Sequence, residues 1–363
     1  MGRKENVILP LTSLRFFAAY YVVLFHYGAG FVCDRVGQSA KMCHALRNGY
    51  LGVTFFFVLS GFILVHVYLD KLTLTRSSLK RFFVARVARI FPVYLLMLAW
   101  FGLYGGPWVE TGWTAVPQFF GLQSWAPWSS HAPANWNSPA WTLSAEVFFY
   151  LTFPFLLTVC RKQSSYTLWA ALAVTFLVIV FFSTAAGMPM RVDLPGWRAY
   201  APQALVRLPE FVVGVLIGVL YARRRREITL GRWALPALVV LFAALVSAST
   251  DPWVSSASVV PLSAIIIATA QSNSRFLSNR LLVFFGGASY SLYIIHEGLH
   301  DFISDLTHGS RLGDVAFHPA LLVVSALAFL LVEEPARERI RRLVSLKKSA
   351  GAEITQMATG LEP

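Results

Sequence analysis

Apolar stretches of about 17 to 22 residues recur along the whole chain, and that run length constrains the fold more than any other feature. A helix rises about 1.5 Å per residue, so such a stretch matches the roughly 30 Å hydrocarbon core of a bilayer. Composition agrees: of 363 residues 56% are hydrophobic and 13% charged, and the mean hydropathy is +0.58. Soluble domains carry about twice that share of charge, which excludes a water-soluble enzyme. The runs do not alternate polar and apolar residues, which excludes an outer-membrane barrel with strands of about ten alternating residues. The sequence predicts an all-α polytopic membrane protein. About ten transmembrane helices are expected, at roughly 9–32, 49–69, 91–106, 141–160, 166–186, 203–222, 233–250, 254–270, 281–303 and 317–334.

The net charge of +13 raises the question of nucleic acid, and the placement of the cations answers it. With both termini cytoplasmic, about 23 of the 31 Lys and Arg residues fall in inner segments and about six in outer ones. The inner set is Arg3, Lys4, the 71–89 segment, Arg161, Lys162, Arg223 to Arg226, Arg232, Arg275, Arg280 and the stretch from Arg337 to Lys348. This is positive-inside bias, not a nucleic-acid footprint, and some of these side chains can also meet anionic lipid headgroups.

The first apolar segment is long, contains Arg15 and shows no small-residue cleavage site, so it is read as a retained span. Residues 1–348 are expected to form a single membrane-embedded domain without internal repeats, and the small, polar 349–363 a disordered cytoplasmic tail. Cys33 and Cys43 share the first outer loop, where an oxidising compartment permits a disulfide without requiring one. Cys160 falls near the inner end of the fourth span. No cysteine cluster has zinc-finger spacing, and no glycine-rich phosphate loop occurs.

Ionisable residues at bilayer depth are costly and usually face a bundle interior or an aqueous cavity. Arg15 and His26 lie eleven positions apart in the first span, which puts them on one helix face about 16 Å apart along the axis. The structural alternative is that Arg15 snorkels to headgroups and His26 merely packs. Glu146, with Tyr150 one turn below, Arg207 with Glu210, and His296 all fall in the outer halves of their spans. Arg207 and Glu210 are spaced to pair with each other. The shared depth of His26, Glu146, Arg207 and His296 is the expectation on which a site rests. On the inner side Lys80, Arg81, Arg86 and Arg89, interleaved with Phe82, Phe83, Val84, Val87 and Ile90, read as an amphipathic interfacial helix leading into the third span. Its cations suit lipid headgroups or the phosphates of a cytoplasmic donor.

Six stretches in order over residues 12 to 335 resemble the integral-membrane acyltransferase-3 family. They are Leu14 to Ala19 with His26, Phe56 to Phe62, Arg86 to Tyr94, Trp141 to Tyr150, Ser289 to His296, and Glu334-Pro335. The resemblance implies an inner-membrane enzyme that moves an acyl group, typically acetyl from acetyl-CoA, to hydroxyls of extracytoplasmic carbohydrate or other acceptors. By that resemblance His26 is the catalytic base, Arg15 belongs to the same essential motif, and Glu146 is catalytic or orienting. Arg86, Arg89, Arg81 and Tyr94 are the expected acyl-CoA contacts. Ser60, Arg207, Tyr293 and His296 are expected around the acceptor or the oxyanion. This chain has Val147 after Glu146 where relatives often carry a second acid, and Ile295 and Glu297 beside His296 where they often carry tryptophan. The expected acceptor is an exopolysaccharide repeat or O-antigen sugar, with small-molecule or lipid acceptors as the alternative. Trp108, Trp113, Trp125, Trp128 and Trp136 are expected either to stack on sugar rings or to form an interfacial belt.

Two other classes compete. His296-Glu297-Gly298-Leu299-His300 matches H-E-x-x-H, the zinc-protease signature, but Asp301, Asp305 and His308 are loosely placed as third ligands, and no metal is expected. A transporter predicts matched halves with interrupted helices, and apart from Gly28, Gly61 and Gly286-Gly287 the spans show no such pairing.

Overall fold

The computed structural model describes residues 7–104, 115–125, 136–185, 202–224, 227, 230–231, 233–340 and 342. Among them every regular element is helical. In chain order these are α1 (Leu9–Tyr27), α2 (Ala29–Val36), α3 (Lys41–Arg47), α4 (Leu51–Tyr68), α5 (Arg76–Tyr104), the single turn α6 (Val116–Phe119), α7 (Trp141–Lys162) and α8 (Ser165–Ala185). Then follow α9 (Gln203–Arg224), α10 (Ala234–Ala248), α11 (Pro252–Gln271), α12 (Arg280–Gly287), α13 (Ser289–Leu306) and α14 (Arg311–Ala328). A π-helical turn, Phe329–Glu333, carries α14 onward to Ile340. Among the described residues, eight helical runs are long and apolar enough to cross a membrane. All ten expected segments are helical; α10 is apolar but has only 15 residues, and α13 carries His296, Glu297, His300, Asp301 and Asp305. The chain is an all-α polytopic membrane protein.

Three elements differ from expectation. The interfacial helix and the third span are one continuous helix, the 29-residue α5 with Pro92 inside it. The amphipathic stretch buries Phe82, Ala88 and Ile90 in the bundle and leaves Lys80, Arg81 and Val87 exposed, and the helix continues past the proline. The ninth span is broken at Ala288 into α12 and α13. Gly286 just before the break meets the Thr12 carbonyl so closely that a Cβ could not fit. The first span ends at Tyr27, and the loop after it is itself helical, with α2 and α3 joined by a Cys33–Cys43 disulfide whose Cα atoms are 5.1 Å apart. The segment 349–363, Arg3, Lys4, Arg225, Arg226 and Arg232 lie outside the described residues.

Helices α4 and α9 run through the middle of the bundle with most of their side chains buried. Gly214 of α9 sits directly on the Val58 carbonyl of α4, a small-residue contact of the kind that lets membrane helices approach closely. Around this seam Phe149 stacks on Phe211 at 4.8 Å and meets Phe57 edge-on at 5.0 Å. Helices α8 and α10 lie at the periphery and expose Trp169, Leu177, Phe181, Val240 and Leu241, the apolar surface that lipid would cover.

Candidate active site

Five helices converge on a cavity of about 60 Å³, large enough for several waters. Arg15 of α1, Val53, Phe56 and Phe57 of α4, and Arg89 and Ile90 of α5 line it. Thr142, Leu143 and Glu146 of α7 and Ser289, Tyr290, Tyr293 and Ile294 of α13 complete the wall. Arg15 therefore faces the interior instead of snorkelling to a surface. It sits in the fields of Arg89, Glu333 and Glu146. Glu146 accepts a hydrogen bond from the Tyr150 hydroxyl at 3.1 Å and lies in the fields of Arg89, Arg15 and Arg86.

Glu333 is a carboxylate that the motif reading passed over. It is fully buried in the π-helical turn, and one of its oxygens accepts the Ser291 hydroxyl at 2.8 Å. It lies in the fields of Arg89, Arg15 and Arg337. Arg15, Arg89, Glu146 and Glu333 thus act on one another, with Arg86 and Arg337 adding further positive charge. The sequence signal for Glu333 was an acid at the end of the last apolar run, next to Glu334.

A second centre adjoins the first. The His26 and His296 rings lie 5.3 Å apart, and Tyr293, which lines the cavity, is 5.7 Å from His296. Tyr27 stacks on His300 at 3.7 Å and meets Phe317 edge-on at 5.3 Å. His26 is exposed, whereas His296 is fully buried. The segment before α7 is strapped to α13 above this pair. The Asn137 amide donates to the Ile294 carbonyl at 2.9 Å, the Ser138 N–H to the Glu297 carboxylate at 2.6 Å, and the Tyr293 hydroxyl to the Pro139 carbonyl at 3.3 Å.

The residues of the H-E-x-x-H match each have a contact of their own. His296 faces His26, Glu297 accepts a backbone N–H, and His300 stacks on a tyrosine. Among the described residues no three His, Cys, Asp or Glu groups converge to hold an ion.

The expected convergence at one depth divides into three places. His26 and His296 meet, Glu146 joins Arg15 and Arg89 in the cavity, and Arg207 does neither. The Arg207 guanidinium pairs with Glu210 at 2.9 Å and donates to the Thr54 hydroxyl at 3.0 Å, and that hydroxyl donates to Glu210 at 3.2 Å. This triad clasps α4 to α9 beside the cavity wall and leaves Arg207 outside the cavity lining. Ser60, also of α4, is absent from the cavity lining.

Of the expected donor contacts, Arg89 lines the cavity and Arg86 sits among the rings of Tyr68, Phe82 and Tyr150 at 5.7 to 5.9 Å. Arg81 is exposed. Tyr94 is fully buried, with its hydroxyl donating to the Gln118 carbonyl at 2.6 Å, so it holds the 115–125 segment and does not meet a ligand at the surface. Trp136 is buried and Trp125 packs on Phe148 at 4.7 Å; neither is displayed for a sugar ring. Trp108, Trp113 and Trp128 lie outside the described residues.

Comparison with known proteins agrees with the geometry. The family model described as an acyltransferase domain, type 3, matches residues 10–332. Acyltransferase MdmB of Streptomyces mycarofaciens is 31% identical over 319 residues, 80% of this chain and 78% of that protein. The O-acetyltransferase OatA of Staphylococcus aureus is 21% identical over 370 residues, 91% of this chain but 57% of that protein, so the chain spans little more than half of this longer relative. No solved structure matches. With the family model covering the bundle from α1 into the π-helical turn, the chain belongs to the integral-membrane acyltransferase-3 family.

Proposed function

We propose that the protein transfers an acyl group, most simply acetyl, from a cytoplasmic acyl-CoA to a hydroxyl of an extracytoplasmic or lipid-linked carbohydrate. The observation that carries this reading is a cavity holding Arg15, Arg89 and Glu146 that meets an imidazole pair at Tyr293. Thioester alcoholysis needs those two provisions, a base for the hydroxyl proton and cationic groups near the acyl oxygen.

His26 takes the acceptor proton as the oxygen attacks the thioester carbon. The tetrahedral intermediate collapses, the C–S bond breaks, and the proton passes to the departing sulfur to give free CoA thiol. Arg15 and Arg89 supply positive charge beside the carbonyl oxygen, and Glu146 and Glu333 keep both guanidinium groups in place. On the inner side, Arg86 and the exposed Lys80 and Arg81 form the basic approach for CoA phosphates, while the pantetheine arm enters the cavity. The bacterial inner membrane is the compartment this arrangement fits.

Mass spectrometry of surface polysaccharide from cells with the wild-type gene, a deletion, and His26→Ala tests the reading. One acetyl increment per repeat is expected in the wild type and in neither altered strain. Unchanged acetylation in the deletion would redirect the search to small-molecule or lipid acceptors. Retained acetylation in His26→Ala alone would remove His26 as base.

A further inference from the structure

His296 is the buried member of the imidazole pair, and its hydrogen bonding fixes which nitrogen is free. Nδ1 lies 2.5 Å from the Tyr293 carbonyl one turn back. A carbonyl only accepts, so Nδ1 carries the ring proton, and in the neutral ring Nε2 is left as a bare lone pair. That nitrogen is buried and has no partner among the described residues. An unpaired buried acceptor is costly, so its presence calls for a use. The ring lies against His26, and of the nearby acids Glu297 is turned to the Ser138 N–H. Glu146, which sequence had offered as the group orienting His26, lies in the cavity with Arg15.

We propose that His296 is a positioning residue for His26, an inference that rests on the acyl-transfer reading above. When the two rings close from their 5.3 Å separation into hydrogen-bond contact, Nε2 accepts the N–H of His26 and so fixes the tautomer in which His26 presents its other nitrogen to the acceptor hydroxyl. A neutral imidazole then plays the part that a carboxylate plays in a Ser-His-Asp triad. When His26 takes the acceptor proton, the same lone pair holds the imidazolium until the proton leaves for the thiolate sulfur. The proton count is unchanged through the cycle, and no charge is stored on His296.

The test compares His296→Gln, whose amide oxygen can replace the Nε2 acceptor, with His296→Phe, which keeps volume and loses the acceptor. Membrane vesicles from the producing cells, supplied with radiolabelled acetyl-CoA, report label transferred to glycan. Turnover is expected to fall by about 100-fold or more in His296→Phe, with the acetyl-CoA KM within about twofold of wild type, and to recover by at least about tenfold in His296→Gln. Equal activity of the two variants would show that the ring only fills space and would overturn the proposal. A readout without turnover accompanies it: diethyl pyrocarbonate modifies an available imidazole lone pair, so its rate at His26, followed by peptide mass spectrometry, should drop several-fold in His296→Phe and persist in His296→Gln. If wild-type vesicles transfer no label, the acyl-transfer reading fails, while the modification rates still decide whether His296 orients His26. Identical rates in both variants would sink the pairing.

Discussion

The half-buried Arg15, Arg89 and Glu146 and the fully buried Glu333 lie within one another's fields, two cations with two anions. Removing one partner of such a group leaves an uncompensated charge, which typically costs about 3–5 kcal/mol. Glu333→Ala should therefore lower the unfolding temperature of the detergent-solubilised protein sharply, and the double change Glu333→Gln with Arg89→Gln should recover much of the loss. Additive losses in that double variant would show that the two do not share a network. A residue-scale contrast also separates the donor contacts. Arg89→Glu and Arg86→Glu should raise the acyl-CoA KM by about tenfold or more, while the exposed Arg81→Glu shifts it less than threefold, in titrations of acetyl-CoA at fixed acceptor. At this scale Arg15, His26, Glu146 and His296 were legible because ions are rare in apolar runs. Glu333 was not, since an acid pair at the end of a span reads as a helix terminus entering water.

Among elements, the seam between α4 and α9 bears the most on stability. A Leu at Gly214 would have to displace the Val58 backbone, so Gly214→Leu should destabilise by several kcal/mol or prevent recovery of folded protein by size-exclusion chromatography. The Arg207–Glu210–Thr54 triad clasps the same two helices. Replacing Arg207 alone with Leu should be strongly destabilising, whereas Arg207→Leu with Glu210→Leu should return close to wild-type melting and retain acyl transfer. Loss of transfer in a stable double variant would return Arg207 to the site. Sequence gave the depth of these residues along their helices but not the direction each helix turns, because direction depends on neighbours. That is why Arg207 was grouped with His26. The break between α12 and α13 likewise depends on how closely Gly286 approaches α1, a tertiary contact that run length does not encode.

At the level of the whole molecule, run length alone was enough to predict an all-helical membrane bundle and to place ten helical segments close to their observed positions. It could not show that five of them line one cavity. Nor could it choose between a free and a paired state for Cys33 and Cys43, which depends on α2 and α3 folding back on each other. Reducing that disulfide should loosen the ten-residue separation it closes at a cost of about 2–3 kcal/mol, read as a lower melting temperature with dithiothreitol and an unchanged response in Cys33→Ser with Cys43→Ser.

The π-helical turn at Phe329–Glu333 works as a phase slip. A π turn holds one residue more than an α turn, so everything after it is rotated by about 100° from where an unbroken helix would carry it. Glu333 points at Ser291 because of that one extra residue. A single-residue deletion within 329–332 would leave the apolar pattern of α14 intact and its length almost unchanged. It would nonetheless swing the carboxylate away from Arg15 and Arg89, so the electrostatics of the cavity are set in part by the number of residues in a turn.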